Sequence, residues 1–177
     1  MSRTDEAFRE IAAPPAEAFD ALVDPDRLLA WLPPSGMVGR FERFDMRPGG
    51  SYRLVLTYVD GSGAAGKTGT GSDVVEARVV DVVDGVRVVQ RIDFESDDPA
   101  FAGTMTMTWS LTPTDAGVRV EIHADDVPEG ISRQDHETGM TSSLANLDAY
   151  LTGGPRAGTA SVTERAIHDQ TSSEMSV

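Results

Sequence analysis

Cysteine is absent from the 177-residue chain. That excludes disulfides, thiol catalysis and cysteine-ligated metal. Long apolar runs are also missing; nothing approaches the ~18 consecutive residues that a membrane-spanning helix needs. The N-terminal stretch "MSRTDEAFREIAAPP" has no apolar segment of the signal-peptide kind. A cytoplasmic, soluble protein is the expectation. Basic residues are scarce, with 15 Lys+Arg against 29 Asp+Glu and a formal net charge of −14. A field of that sign repels nucleic acid, anionic membrane surfaces and free nucleotides, so none of these is an expected partner. Histidines number only three and are scattered, so no metal site or cofactor is expected.

What is present reads as one domain followed by a tail. "AFREIA" suits a short first strand. Pro15 starts a helical stretch in which Ala18, Phe19, Leu22 and Val23 form an apolar stripe. "DPDRLLAWL" predicts a second short helix with Asp24 as N-cap and Pro25 at its first position. From Met37 the period changes to two. "MVGRFERFDM" and "SYRLVLTYV" are strands separated by "RPGG", and the second places Tyr52, Leu54, Leu56 and Tyr58 on one face. "VVEARVVDVV" and "VRVVQRIDFE" flank Asp84-Gly85, a strong hairpin signal. "FAGTMTMTWSLT" and "AGVRVEIHA" continue the alternation. The last element is helical: Ser132 and Asp135 resemble a capping box, and Met140, Leu144, Leu147 and Leu151 make one apolar seam. Gly153, Gly154 and Pro155 end it. Residues 154–177 lose periodicity and are expected to be a disordered tail.

The strongest formal motif is "GSGAAGKT", Gly61 to Thr68, which fits G-x-x-x-x-G-K-[ST] at every fixed position. A phosphate-binding loop needs a helix directly after its Lys-Thr, because the helix N-terminus supplies the N–H groups and the dipole. Here "GTGSD" follows, and then β-branched residues at strand period. The expectation is a mobile hairpin loop.

Three stretches carry a family resemblance. "IAAPPAEAFDALVDPDRLLAWLPP", "FDMRPGGSYR" and "HETGMTSSLANLDAYL", in that order, resemble the opening strand and helix pair, the Gly-Gly turn and the closing helix of the START-like (SRPBCC) superfamily. Within it they resemble proteins similar to the C-terminal domain of the activator of heat-shock protein 90 ATPase. The match spans roughly residues 7 to 152. Met140 stands where the family often has Trp. The resemblance implies an α+β helix-grip fold over residues 1–153. In it, a curved antiparallel sheet of about six to seven strands wraps a long C-terminal helix, with two short helices after the first strand. It also implies a cavity between sheet and helix. The roles it brings are binding of small hydrophobic molecules, cyclase- or hydrolase-type chemistry, and co-chaperone activity; fold alone does not choose among them.

Gln90 is the most informative single residue. Val86, Val88, Ile92 and Phe94 share its parity, so it should point to an apolar face. A buried amide needs partners, either backbone or water at a strand irregularity, or a ligand it orients. His136 lies one turn before Met140. "HE" fails as a zinc helix because Met140 occupies the fifth position of H-E-x-x-H. Near a helix N-terminus its pKa should be depressed. It reads either as a half-exposed rim residue or as a ligand contact or base. Trp31, Tyr58, Met107, Trp109, Met140 and Leu144 complete a candidate cavity lining, and each is equally readable as plain core. His123 should face solvent between charged neighbours. No catalytic constellation is readable, so no catalytic residue is assigned. The expected function is binding of a small, mainly hydrophobic ligand, with a chaperone partner or an enzyme of the superfamily as alternatives, in a monomer or homodimer.

Overall fold

In a computed structural model of the protein, residues 2–59, 72–94 and 96–153 are described. The tail and the segment 60–71, which contains "GSGAAGKT", lie outside the described residues. The elements run β1 (Asp5–Ile11), α1 (Pro15–Val23), α2 (Pro25–Trp31), β2 (Met37–Phe44), β3 (Ser51–Tyr58), β4 (Ser72–Val83), β5 (Arg87–Phe94), β6 (Gly103–Thr114), β7 (Gly117–Asp125) and α3 (Arg133–Thr152).

The local signals act where the chain needs them. Asp24 accepts a hydrogen bond from the Arg27 N–H at 3.0 Å and caps α2 directly behind Pro25. A cap of this kind stabilises a helix by about 1 kcal/mol. Ser132 accepts from the Asp135 N–H at 3.1 Å, and the Asp135 carboxylate accepts from the Ser132 hydroxyl at 2.7 Å, which opens α3. Gly85 takes φ +68 in the turn between β4 and β5, a left-handed conformation that glycine adopts without cost. Val86 belongs to that turn and is exposed, whereas Val88, Ile92 and Phe94 face the core as their parity predicts.

The seven strands form one antiparallel sheet in the order β1-β7-β6-β5-β4-β3-β2. The first two strands in sequence therefore occupy opposite edges, and α1 and α2 carry the chain from one edge to the other. Alternation gives the sheet a buried face and a charged face. On the outer side Arg53 bridges Glu42 and Glu76, and Arg78 pairs with Asp93. On the inner side Leu54, Leu56, Ile92, Met105, Val120 and Ile122 are buried. The α3 seam of Met140, Leu144 and Leu147 joins the same core, with Leu151 packed against it. α3 runs alongside β1, where Arg9 and Asp148 pair at 2.6 Å. This is the helix-grip arrangement implied by the sequence resemblance.

Strands β3 and β4, which bound the segment 60–71, pair antiparallel up to Thr57 and Ser72. The element following "GSGAAGKT" is thus a strand, where a phosphate-binding loop requires a helix.

Candidate functional site

The inner face of the sheet and the helices enclose an apolar pocket of about 40 Å³. Its floor comes from the strands. β3 gives Tyr52, Leu54 and Leu56, β4 gives Val75, β5 gives Val88 and Gln90, and β6 gives Met107 and Trp109. All have the inward parity of their strands. Its roof comes from α1 and α2 through Leu22, Leu28 and Trp31, and from α3 through Ser143. Twelve lining residues are buried; the other two, Leu32 after α2 and Met46 in the β2–β3 turn, are partly exposed and mark its mouth. The turn sits there because it folds tightly: a Cβ on Gly50 would run into the Asp45 carbonyl oxygen, so the backbone closes over a position only glycine fills.

Two features distinguish the pocket from ordinary core. The first is aromatic. Trp31 and Trp109 meet edge to face, with ring centroids 5.8 Å apart, and the Trp31 indole N–H donates to the Ala21 carbonyl at 2.9 Å. The second is polar. Gln90 is only 8% exposed and lines the pocket together with Tyr52, whose phenol feels the neighbouring amide. β4 lies between their strands: Tyr52 pairs with Ala77 and Gln90 with Val79, the next inward residue of β4, so the two stand diagonally on the inner face. Gln90 also lies beside an irregularity: it pairs with Val79, but Val89 pairs with Asp81, so β4 carries an extra residue there. Burial pushes the Tyr52 phenol well above its usual pKa, and the neighbouring Gln90 amide opposes this only in part, so Tyr52 is neutral at physiological pH.

Trp31, Gln90, Met107 and Trp109 are therefore brought together at one pocket. Tyr58, His136, Met140 and Leu144 do not line it. Tyr58 is half-buried near the end of β3, and Met140 and Leu144 belong to the packed seam of α3. Tyr52, Met46 and Ser143 line the pocket without having been singled out from sequence, although Tyr52 shares the inward parity that marks its strand.

His136 sits in a separate buried cluster. Its Nδ1 is 2.8 Å from the Asp5 carboxylate, and both side chains are fully buried. Arg3 grips the same carboxylate through two bonds of 2.9 and 3.0 Å, and Arg133 approaches it at 3.4 Å. Burial holds the His136 pKa below its ordinary value, with the Asp5 hydrogen bond and charge pulling the other way and Arg3 adding to the depression. A neutral imidazole beside a carboxylate carries its proton on Nδ1 and donates it to Asp5. That leaves Nε2 as a buried acceptor, and it has no partner among the described residues. The expectation of a half-exposed rim histidine gives way to a sealed one. Asp5 could not be chosen from sequence, since it precedes the alternating stretch and meets His136 only because β1 lies beside α3. On the outer face His123 lies 3.1 Å from Glu6 and 3.3 Å from Glu121.

A seven-stranded antiparallel sheet, a long closing helix and two short helices after the first strand define the START-like class. The sequence model of the family described as Activator of Hsp90 ATPase homolog 1-like protein matches residues 12–152, and the chain belongs to that family. Among solved structures, a protein from Chromobacterium violaceum is 28% identical with a TM-score of 0.69, over 84% of this chain and 96% of that one. A protein from Rhodobacter sphaeroides is 23% identical at TM-score 0.64, over 85% and 93%. An AHSA1-like protein from Aeromonas hydrophila shares the fold at 18% identity and TM-score 0.68, over 86% and 93%. No curated protein matches the sequence. No helix among the described residues is long and apolar enough to cross a membrane.

Proposed function

We propose that this protein binds a small, mainly apolar molecule in the pocket between sheet and helices. The supporting observation is that Tyr52 and Gln90, both buried, line a mostly apolar pocket that also holds Trp31 and Trp109. Ligand sites have this composition: mostly apolar walls and a few convergent polar groups that fix orientation. Burial of apolar ligand surface would supply about 25 cal/mol per Å² before the cost of association. At about 40 Å³ the pocket holds only a few waters. A ligand therefore enters by displacing Met46 and Leu32 at the mouth, and the unbranched, flexible Met46 makes that displacement cheap. Gln90 and Tyr52 orient the ligand; His136 contributes from outside the pocket, by fixing the start of α3 to β1.

Thermal-shift screening against neutral lipids and aromatic metabolites tests this reading, with Gln90→Leu alongside. Stabilisation of the wild type that weakens in the variant supports it. A screen without a stabilising compound counts against it. The family description favours a second reading, regulation of heat-shock protein 90. That reading expects purified heat-shock protein 90 to bind the chain and to hydrolyse ATP faster in its presence.

A further inference from the structure

We infer that the ligand of this pocket is an uncharged molecule with one hydrogen-bonding group, a hydroxyl, carbonyl or amide, buried against Tyr52 and Gln90. This rests on the pocket reading above and narrows its chemistry.

The first ground is charge. Tyr52 is the one titratable pocket-lining residue, and its phenol, neutral at pH 7 even in water, is held more firmly protonated by burial. A carboxylate or ammonium carried to the floor would leave water without meeting a counter-charge, which is heavily disfavoured. The nearest charges in sequence to the mouth are already engaged: Asp45 and Arg47 flank Met46 and bond each other at 2.6 and 2.9 Å. A ligand's ionic end gains nothing there without breaking that pair.

The second ground is hydrogen bonding. A pocket for a pure hydrocarbon has no use for a buried amide, and a buried polar group costs stability unless it is paired. Gln90 carries two donors and an acceptor, and Tyr52 a donor and an acceptor. Both line the same pocket, so between them they can donate to and accept from a ligand group. The pair therefore suits a ligand group that does either or both. Ser143 adds a polar side chain to the α3 wall. A site built to hydrogen-bond a ligand group discriminates strongly against an analogue that lacks it.

The third ground is shape. The edge-to-face tryptophans and the two methionines, Met46 and Met107, favour a flat or aromatic body over a branched one.

The test uses four molecules on one ring skeleton: toluene, benzyl alcohol, benzoate and benzylamine. Each is titrated at neutral pH against the intact protein, following tryptophan fluorescence and the melting temperature. Benzyl alcohol should bind, and benzoate and benzylammonium should bind about tenfold more weakly or worse. Toluene should also be weaker than benzyl alcohol in the wild type. In the double variant Tyr52→Phe/Gln90→Leu, which removes both polar groups together, toluene should overtake benzyl alcohol. Tyr52→Phe alone serves as a second, milder variant and should narrow the same gap. Benzoate or benzylammonium binding the wild type as tightly as benzyl alcohol overturns the inference while leaving the pocket reading intact. Failure of all four to bind overturns the pocket reading, and the inference with it.

Discussion

Trp31 and Trp109 cross edge to face with centroids 5.8 Å apart and an interplanar angle of 69°, and they are the two tryptophans of the chain. One comes from α2 and the other from β6, so their contact joins the short helices to the sheet. Because both line the pocket, tryptophan fluorescence reports on this site. Trp31→Phe removes the bond to the Ala21 carbonyl and reshapes the contact; it should lower stability by about 2 kcal/mol in urea unfolding. An unchanged unfolding midpoint would show that the helix pair is held by other contacts.

Tyr52 and Gln90 should be energetically coupled. Gln90→Leu removes the amide beside a buried phenol and should cost about 1–3 kcal/mol. Adding Tyr52→Phe should restore much of that loss. Additive single effects in the double-mutant cycle would mean that the two groups do not interact.

The His136–Asp5 contact predicts a pH dependence with a definite sign. An unfolded histidine takes up its proton near pH 6.5, and the folded His136 does so only at lower pH. Between the two values the unfolded chain binds more protons. Stability from this group is therefore complete above about pH 6.5 and is lost as pH falls toward the depressed folded value. Melting temperatures between pH 7 and pH 5 should drop less steeply in His136→Gln, which does not titrate, than in the wild type. Equal slopes would remove the argument. Asp5→Ala strips the imidazole of its acceptor and should cost about 3 kcal/mol at pH 7.

Gly50→Ala sets a Cβ against the Asp45 carbonyl, so the β2–β3 turn must shift. The cost should be about 1–3 kcal/mol. Since Met46 sits in that turn, ligand affinity should change as well. Wild-type melting and affinity in this variant would contradict the placement of the mouth.

Magnesium-ATP should leave the melting temperature unchanged, in wild type and in Lys67→Ala alike. The motif around Lys67 is followed by strand β4, so no helix N-terminus stands behind it. A rise abolished by Lys67→Ala would restore the nucleotide reading.

Local chemistry was legible where one residue decides one geometry. Asp24 with Pro25, Ser132 with Asp135, and Gly85 all act as their sequence contexts imply. Parity was legible too, and it placed Gln90 inside. Alternation fixes the face of a residue but not its position along a strand. Tyr52 and Tyr58 share one parity, yet only Tyr52 reaches the pocket. Pairings that close over long sequence separations were illegible, because they depend on strand order. Asp5 and His136 meet only once β1 has paired with β7 and α3 has packed beside β1. The shared placement of Tyr52 and Gln90 likewise depends on strand order, with β4 lying between their strands.

The most direct test of the pocket is methyl NMR of methionine-labelled protein during titration with benzyl alcohol. Met46 and Met107 line the pocket, whereas Met37 and Met140 are buried in the surrounding core. The account predicts saturable shifts of the Met46 and Met107 methyl signals, with Met37 and Met140 nearly still. Shifts confined to other methionines, or none at concentrations that saturate the tryptophan fluorescence change, would contradict it.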